Sequence, residues 1–247
     1  MAAPGRQALY GHRVKSPLQL ILLPGTLMDG AALRPLAWDL GQPAPRVELL
    51  GVEAGFDAEI DRLAALATQP AVWIGHSLGG IAALHLAARH PQCCAAVVVL
   101  ASNARPDGPQ GAHSRARQTR VLERGGMAAL LRHQLAPLYG IPAGDPLLDD
   151  LEAQAVRIGA ERFHRQLLYA AERPGLLRLP CALPMPVLAL SGGDDPLCPP
   201  ACGEEIIALS GNMHSRHQVL PRVGHLLPLQ AHAWCAQQVR HFLAHLA

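Results

Sequence analysis

The sequence predicts an α/β fold: a mostly parallel sheet flanked by helices, with a helical cap inserted between two of its strands. Apolar, strand-like runs alternate with helix-like runs, a pattern typical of parallel sheets that are covered on both faces. Half of the 247 residues are hydrophobic and only 16% are charged, which suits such a buried sheet. Residues 101–184 separate two of the strand-like runs, many more than a single connection requires.

Each element follows from the spacing of apolar residues and from the Gly and Pro positions that bound the runs. Strands are predicted at residues 18–23, 46–50, 71–74, 95–100, 185–190 and 218–220. Helices outside the long interval are predicted at residues 30–40, 57–68, 78–90, 200–209 and 230–246.

The long interval between the fourth and fifth strands is rich in helix formers. Gly and Pro residues divide it into helix-like runs at 115–124, 127–135, 147–158 and 162–171. We therefore predict a core of residues 1–104 and 179–247 and a cap of residues 105–178. Such a cap would exclude water and frame a substrate pocket. A second independent domain is the alternative.

The sequence Gly75-His76-Ser77-Leu78-Gly79 fits the G-x-S-x-G pattern and lies between a predicted strand and a predicted helix. In that context the pattern predicts a nucleophile elbow, a sharp turn that exposes a serine hydroxyl at the mouth of a sheet. Glycines two residues away on either side leave room for the close approach of the backbone. The alternative is a Gly-rich turn whose serine only caps the helix.

Two further residues have the types and the chain order that a serine nucleophile requires. The hydroxyl needs a base to take its proton and an acid to orient that base, and in this fold class the acid precedes the histidine. Asp195 follows the strand predicted at 185–190, and His225 lies in a Gly- and Pro-bounded loop after residues 218–220. The predicted triad is Ser77, Asp195 and His225. The adjacent Asp194 is the competing acid, which we expect to cap a turn or to face solvent.

Two backbone N–H groups are predicted to bind the oxyanion that such a reaction forms. One belongs to Leu78, directly after the nucleophile, and the other to Thr26, in the loop after the first predicted strand. Because both donors are backbone groups, the side chains at these positions matter little. An ordinary Gly turn is the alternative interpretation of this loop.

Together these segments resemble the α/β-hydrolase superfamily along nearly the whole chain. They are Leu-Leu-Pro-Gly-Thr at 22–26, Gly-His-Ser-Leu-Gly-Gly at 75–80, Ser-Gly-Gly-Asp-Asp-Pro-Leu-Cys-Pro-Pro at 191–200 and Gly-His-Leu-Leu-Pro at 224–228. Within the superfamily the chain is most similar to small bacterial serine esterases, namely pimeloyl-carrier-protein methyl ester esterases and 3-oxoadipate enol-lactonases. Many members have His-Gly where this chain has Pro24-Gly25. Because roughly twenty residues precede the oxyanion loop, the opening antiparallel strands of the family must be abbreviated or absent.

The resemblance and the triad predict a serine hydrolase of carboxylic esters, with thioesters and lactones as further candidate substrates. Two alternatives stay open: cleavage of a carbon–carbon bond by the same triad, and a non-catalytic role as a ligand receptor or scaffold. The expected partner is a small-molecule ester, and an acyl group on a carrier protein is a second candidate. Arginines of the cap would attract a carboxylate or phosphopantetheine. A solvated helix face is the simpler interpretation of these residues, which are Arg105, Arg115, Arg117, Arg120, Arg124 and Arg132.

Other classes of function are excluded by composition. The net charge of +2 and the aromatic content of 4% offer no basic or base-stacking surface for nucleic acid. No apolar run is long enough to span a membrane. The six cysteines are scattered, and no signal-peptide pattern precedes them, which favours reduced thiols and a cytoplasmic location. No cofactor or metal is expected, because the thirteen histidines lack the spacing of a ligand motif.

Overall fold

Six strands form one sheet in the computed structural model of the chain, which describes residues 18–41, 46–177 and 183–246. The order across the sheet is β2-β1-β3-β4-β5-β6, and all neighbouring strands are parallel. This arrangement confirms the predicted fold class. The strands are β1 (Leu20–Leu23), β2 (Arg46–Val47), β3 (Ala71–His76), β4 (Cys94–Leu100), β5 (Val187–Gly192) and β6 (Arg216–Leu220).

Helices cover both faces of the sheet and fill the interval between β4 and β5. Short 3₁₀ and π turns lie at Pro91–Cys93 and Leu131–Leu135. The α-helices are α1 (Gly30–Asp39), α2 (Phe56–Ala65), α3 (Leu78–Arg89), α4 (Pro109–Leu130), α5 (Ala136–Leu138), α6 (Leu147–Glu172), α7 (Pro200–Ala208), α8 (Leu227–Gln230) and α9 (His232–Ala244).

The two faces of the sheet are buried in two separate hydrophobic clusters. Successive side chains of a strand point to opposite faces, so Val72 packs with α1 and α9 while Trp73 packs with α2, α3 and α7. All six residues of β3 are buried, which explains why the strand before the predicted elbow is an unbroken apolar run. Because β3 is a central strand, the residue after its carboxyl end, Ser77, lies at the middle of that edge of the sheet.

A third cluster joins the helices between β4 and β5 to loops at the carboxyl ends of the strands. Leu130 and Phe163 of these helices pack with Leu27, after β1, and with Leu226, after β6. Two glycines with positive φ, Gly126 (74°) and Gly159 (78°), interrupt α4 and α6 between the runs that the sequence predicts as separate helices. The division into core and cap at residues 105–178 stays a prediction.

Two predictions remain to be compared with the structure: the shortened opening strands and the lack of a membrane-spanning segment. The opening strands of the fold would lie within residues 1–17, which are outside the described part of the chain. Among the described residues, no helix combines the length and the apolar character needed to cross a bilayer.

Candidate active site

Ser77 lies in a sharp turn between the end of β3 and the start of α3. Its backbone has φ of 51° and ψ of −117°, a conformation that non-glycine residues rarely adopt. Two glycines make the turn sterically possible. A Cβ on Gly75 would lie 2.3 Å from the carbonyl oxygen of Gly79, and a Cβ on Gly79 would lie 2.0 Å from that of Leu23. The turn therefore requires glycine at both fixed positions of the G-x-S-x-G pattern.

Hydrogen bonds hold the strained turn in place from the neighbouring strand. The N–H of Ser77 donates to the carbonyl of Leu100, the last residue of β4, at 3.0 Å. The hydroxyl of Ser102 donates to the carbonyl of Ser77 at 2.9 Å. Both backbone groups of Ser77 are therefore bonded, and the residue lines the cavity described below.

The three residues of the predicted triad form a continuous hydrogen-bonded chain. The Nε2 atom of His225 is 2.9 Å from the Oγ of Ser77, and its Nδ1 is 2.9 Å from the Oδ2 of Asp195. A carboxylate only accepts, so Nδ1–H donates to Asp195 and Nε2 accepts from the serine hydroxyl. The histidine is fully buried, which keeps water from competing for these bonds.

The two adjacent aspartates have different environments. Asp195 is buried, and its other oxygen accepts from the backbone N–H groups of Leu197 (2.8 Å) and Cys198 (2.9 Å). Burial alone would raise the pKa of Asp195, but the bonds from His225 and from these N–H groups outweigh it and lower the pKa overall. The side chain of Asp194 is exposed. The carboxylate next to His225 is therefore that of Asp195.

Two aromatic rings support His225. Tyr139 stacks on it, with ring centroids 5.0 Å apart and an angle of 26° between the planes. The Nε2–H of His76 donates to the carbonyl of His225 at 2.9 Å. Burial, and then the neighbouring His225, lower the pKa of His76 to about 3, so this ring is neutral at physiological pH. Through this bond His76 holds the backbone of the loop that carries His225.

The two predicted oxyanion donors lie beside the nucleophile. Thr26 and Leu78 line the same cavity as Ser77, and neither backbone N–H donates to another group within residues 18–41, 46–177 and 183–246. The next residue of the loop, Leu27, has φ of 58°, and its N–H donates to the Oε1 of Gln166 at 3.0 Å. The Nε2 of Gln166 donates to the carbonyl of Leu50 at 3.2 Å.

Gln166 is thus a candidate positioning residue that sequence reasoning missed. It is 2% exposed and lies on α6, 139 residues from Leu27 along the chain. From the sequence alone, a glutamine in an amphipathic helix is expected to lie on the solvent-exposed polar face. Its partners become visible only when the helix is packed against the loops after β1 and β2.

A cavity of about 430 Å³ opens over Ser77, between the carboxyl ends of the strands and the helices α4 to α6. Its wall is apolar near Ile81, Leu135 and Leu138. A polar part contains the following residues: Asn103, Asp107, Gln110, Ser114, Arg115, Gln118 and Arg173. The cavity can therefore hold an acyl chain that carries a polar group away from the reacting carbonyl.

One group within the described ranges has the side chains and spacing to hold a metal ion. It consists of Asp195, Cys198 and His225, all buried. Two of the three are already bonded to each other, and His225 is also bonded to Ser77, so the same atoms serve the triad. Burial raises the pKa of the Cys198 thiol to about 12, which disfavours the thiolate that a metal would need.

Comparison with known proteins identifies the family of this chain. A family model described as the alpha/beta hydrolase family matches residues 20–238. Pimeloyl-[acyl-carrier protein] methyl ester esterase from Neisseria meningitidis is similar in sequence, 33% identical over 197 residues that cover 77% of this chain and 74% of the relative.

Two solved structures have the same fold. A thermophilic esterase from Thermogutta terrifontis, with malate bound, is 24% identical, with a TM-score of 0.80 over 93% of this chain and 90% of that one. The enol-lactonase from Burkholderia xenovorans LB400 is 20% identical, with a TM-score of 0.75 over 92% of each chain. These similarities confirm the resemblance inferred from the motifs: the chain belongs to the alpha/beta hydrolase family.

Proposed function

We propose that this chain hydrolyses carboxylic esters through an acyl-enzyme formed on Ser77. The observation that carries the proposal is the bonded chain from Ser77 through His225 to Asp195 at the floor of a cavity. Family membership and a relative named as an ester hydrolase add support. The site residues and their roles are part of the proposal.

In the proposed first step, the Oγ of Ser77 attacks the ester carbonyl while Nε2 of His225 takes its proton. The negative charge that develops on the carbonyl oxygen is stabilised by the N–H groups of Thr26 and Leu78. His225 then gives the proton to the leaving alkoxide. Water, activated by the same Nε2, attacks the acyl-enzyme, and the proton returns to Ser77 as the acid leaves.

Asp195 keeps the base in the correct tautomer. Its lowered pKa means that the carboxylate is charged at neutral pH, and it accepts from Nδ1–H in the resting state. When His225 gains a proton, this charge stabilises the imidazolium without taking the proton itself. Tyr139, stacked on the ring, limits its rotation.

A second candidate substrate is an acyl ester attached to a carrier protein. The Neisseria relative is named for such a substrate. Three arginines on the exposed face of α4 have no carboxylate partner among the described residues, whereas Arg132 pairs with Asp149. A cationic helix face attracts an acidic partner. The three residues are Arg117, Arg120 and Arg124.

A cytoplasmic location remains part of the proposal. Five of the six cysteines lie in the described ranges, and their thiols are unpaired there, as a reducing compartment would keep them. The remaining one, Cys181, is outside the described residues.

Steady-state kinetics with p-nitrophenyl esters of increasing acyl length test the proposal. Wild-type protein should turn over at least one of these esters, and Ser77→Ala should lose nearly all activity while keeping its melting temperature. A ring-fission diketone in parallel assays tests for carbon–carbon cleavage. Wild-type activity in Ser77→Ala, or turnover of the diketone alone, would contradict the proposal. Binding of esters without turnover by either protein would favour the receptor alternative.

A further inference from the structure

Arg173, directly after α6, is a cation in the wall of the cavity that has no carboxylate partner among the residues the structure describes. Its Nε donates to the carbonyl of Arg105 at 3.1 Å, and its Nη1 donates to that of Ala170. No Asp or Glu oxygen of the described residues lies within 4.0 Å of its nitrogens. All 19 acidic side chains of the chain belong to the described ranges, so residues outside them offer no acidic side chain either.

Asp107, the carboxylate that acts on the pKa of Arg173, is already used by another arginine. Asp107 accepts two bonds from Arg115, at 2.7 Å and 2.5 Å, one on each carboxylate oxygen. The cavity wall therefore holds two guanidinium groups and one carboxylate. Burial lowers the pKa of Arg173, with Arg115 acting in the same direction and Asp107 against it. Guanidinium stays protonated in proteins, so this part of the wall, away from the Asp195 carboxylate of the triad, keeps one positive charge in excess.

An uncompensated charge in a partly buried wall is costly unless a ligand neutralises it. The second terminal nitrogen of Arg173 has no hydrogen-bond partner within the described part of the chain. Guanidinium nitrogens match the oxygens of a carboxylate in charge and spacing. Gln110, Ser114 and Gln118 line the same cavity and offer further polar contacts.

We propose that Arg173, with Arg115 beside it, binds a free carboxylate on the acyl group of the substrate. This inference rests on the proposed ester hydrolysis and narrows its substrate to half-esters of dicarboxylic acids. The ester carbonyl lies at Ser77 and the free carboxylate at Arg173. A sphere with the volume of the cavity is about 9 Å across, so the two ends of a short dicarboxylic acid fit within it.

The proposal distinguishes a free half-ester from a carrier-bound acyl group. The second acid group of a carrier substrate is a thioester, which has no charge for Arg173 to neutralise. The carboxylate of a half-ester supplies the missing negative charge at that position. The observations favour the half-ester as the substrate. Faster turnover of a carrier-type thioester is the competing outcome of the test.

The test compares monomethyl with dimethyl esters of glutaric, adipic, pimelic and suberic acids, by titrating the released acid. The proteins are wild type, Arg173→Gln, Arg173→Lys and, as a matched control, Arg132→Gln. Arg132 is an exposed cap arginine that pairs with Asp149 and Glu152, and it does not line the cavity. Melting temperatures establish that each variant is folded. If Arg173→Gln does not fold, Arg173→Lys, which keeps the positive charge but loses the planar guanidinium group, takes its place in the test.

We expect wild type and Arg132→Gln to prefer the half-ester of one chain length, in kcat/KM, by about ten- to a hundred-fold. In Arg173→Gln the ratio of kcat/KM for the half-ester to kcat/KM for the diester should fall to about one, because KM for the half-ester rises while the diester rate is nearly unchanged. Arg173→Lys should keep part of the preference for the half-ester. A wild type without this preference, or with faster turnover of methyl pimeloyl-pantetheine thioester than of monomethyl pimelate, would overturn the inference. An unchanged preference in Arg173→Gln would do so as well. Absence of all ester turnover would instead contradict the proposed function.

Discussion

Replacing Gln166 by Met should destabilise the protein and slow its chemistry together. The variant keeps the volume of the side chain but leaves the buried N–H of Leu27 without its partner. It also removes one of two donors to the carbonyl of Leu50, which still accepts from Arg162 at 3.3 Å. The unpaired N–H costs about 1–3 kcal/mol and the lost second bond about 1 kcal/mol, so we expect the free energy of unfolding to fall by about 2–4 kcal/mol. Urea unfolding at neutral pH, monitored by Trp fluorescence, measures this loss.

The effect of Gln166→Met on activity follows from the position of Leu27. This residue has a positive φ, which the bond from Gln166 helps to maintain, and its neighbour Thr26 is the proposed oxyanion donor. Because a misplaced donor costs up to about a hundredfold in rate, kcat should fall by about ten- to a hundredfold, with a smaller change in KM.

Gln154→Met is the matched control. Gln154 is also buried on α6 and accepts from the N–H of Asp29, in the same loop but farther from Thr26, at 3.3 Å. We expect this variant to lose stability with kcat within a few-fold of wild type. If kcat of Gln166→Met stays within twofold of wild type at saturating substrate, the loop does not depend on this glutamine and the reasoning is refuted.

Three further predictions concern single residues. The pKa of His76 is lowered to about 3, so its contribution to stability is complete above pH 6.5 and declines by about 1.4 kcal/mol per pH unit below it. Because the lowered pKa of His85 adds to the same slope, the measurement is a difference: urea unfolding at pH 7 and 5 should show a loss about 2 kcal/mol smaller in His76→Gln than in wild type, and equal losses would contradict this. Gly79→Ala would place a methyl group 2.0 Å from the carbonyl of Leu23, and we expect loss of soluble or active protein; wild-type melting and activity would contradict the elbow geometry. Asp195→Asn should lower kcat by about 10⁴-fold through the wrong tautomer of the histidine, whereas the exposed Asp194→Asn should change it less than threefold; equal effects would reject the assignment.

The backbone of the site could be predicted because each of its residues lies in the loop or turn after a strand. Ser77 follows β3, Asp195 lies just after β5 and His225 comes shortly after β6. The carboxyl ends of parallel strands share one edge of the sheet, so chain order and apolar runs were enough to expect these residues close together. Short Gly-rich turns leave little freedom for where such residues lie.

The wall of the cavity could not be predicted in the same way, because it depends on how helices pack. A solvated face was the simpler interpretation of the six arginines named in the sequence analysis, and attraction of an acyl substrate was the alternative. Of the six, only Arg115 lines the cavity, whereas Arg105 pairs with Glu205 outside it. Arg173 was not among them, since its position at the end of α6 depends on the helix reaching Glu172. The sequence places residues along a helix, and tertiary packing decides which side faces the nucleophile.

Element ends were also set by tertiary contacts. The second strand was expected at 46–50 but pairs with β1 only at Arg46 and Val47. The following backbone turns away to meet α6, where the carbonyl of Leu50 accepts from Gln166 and that of Val52 from Arg165. A partner of this kind, more than a hundred residues away, leaves no local signal in the sequence.

Labelling with a fluorophosphonate, followed by peptide mapping, tests the central claim most directly. The reagent captures a serine only when a neighbouring base activates its hydroxyl. We expect one equivalent of label, all of it on the peptide that contains Ser77, and nearly none in His225→Ala at equal folded fraction. Label on a different serine, or full labelling of Ser77 without His225, would contradict the account.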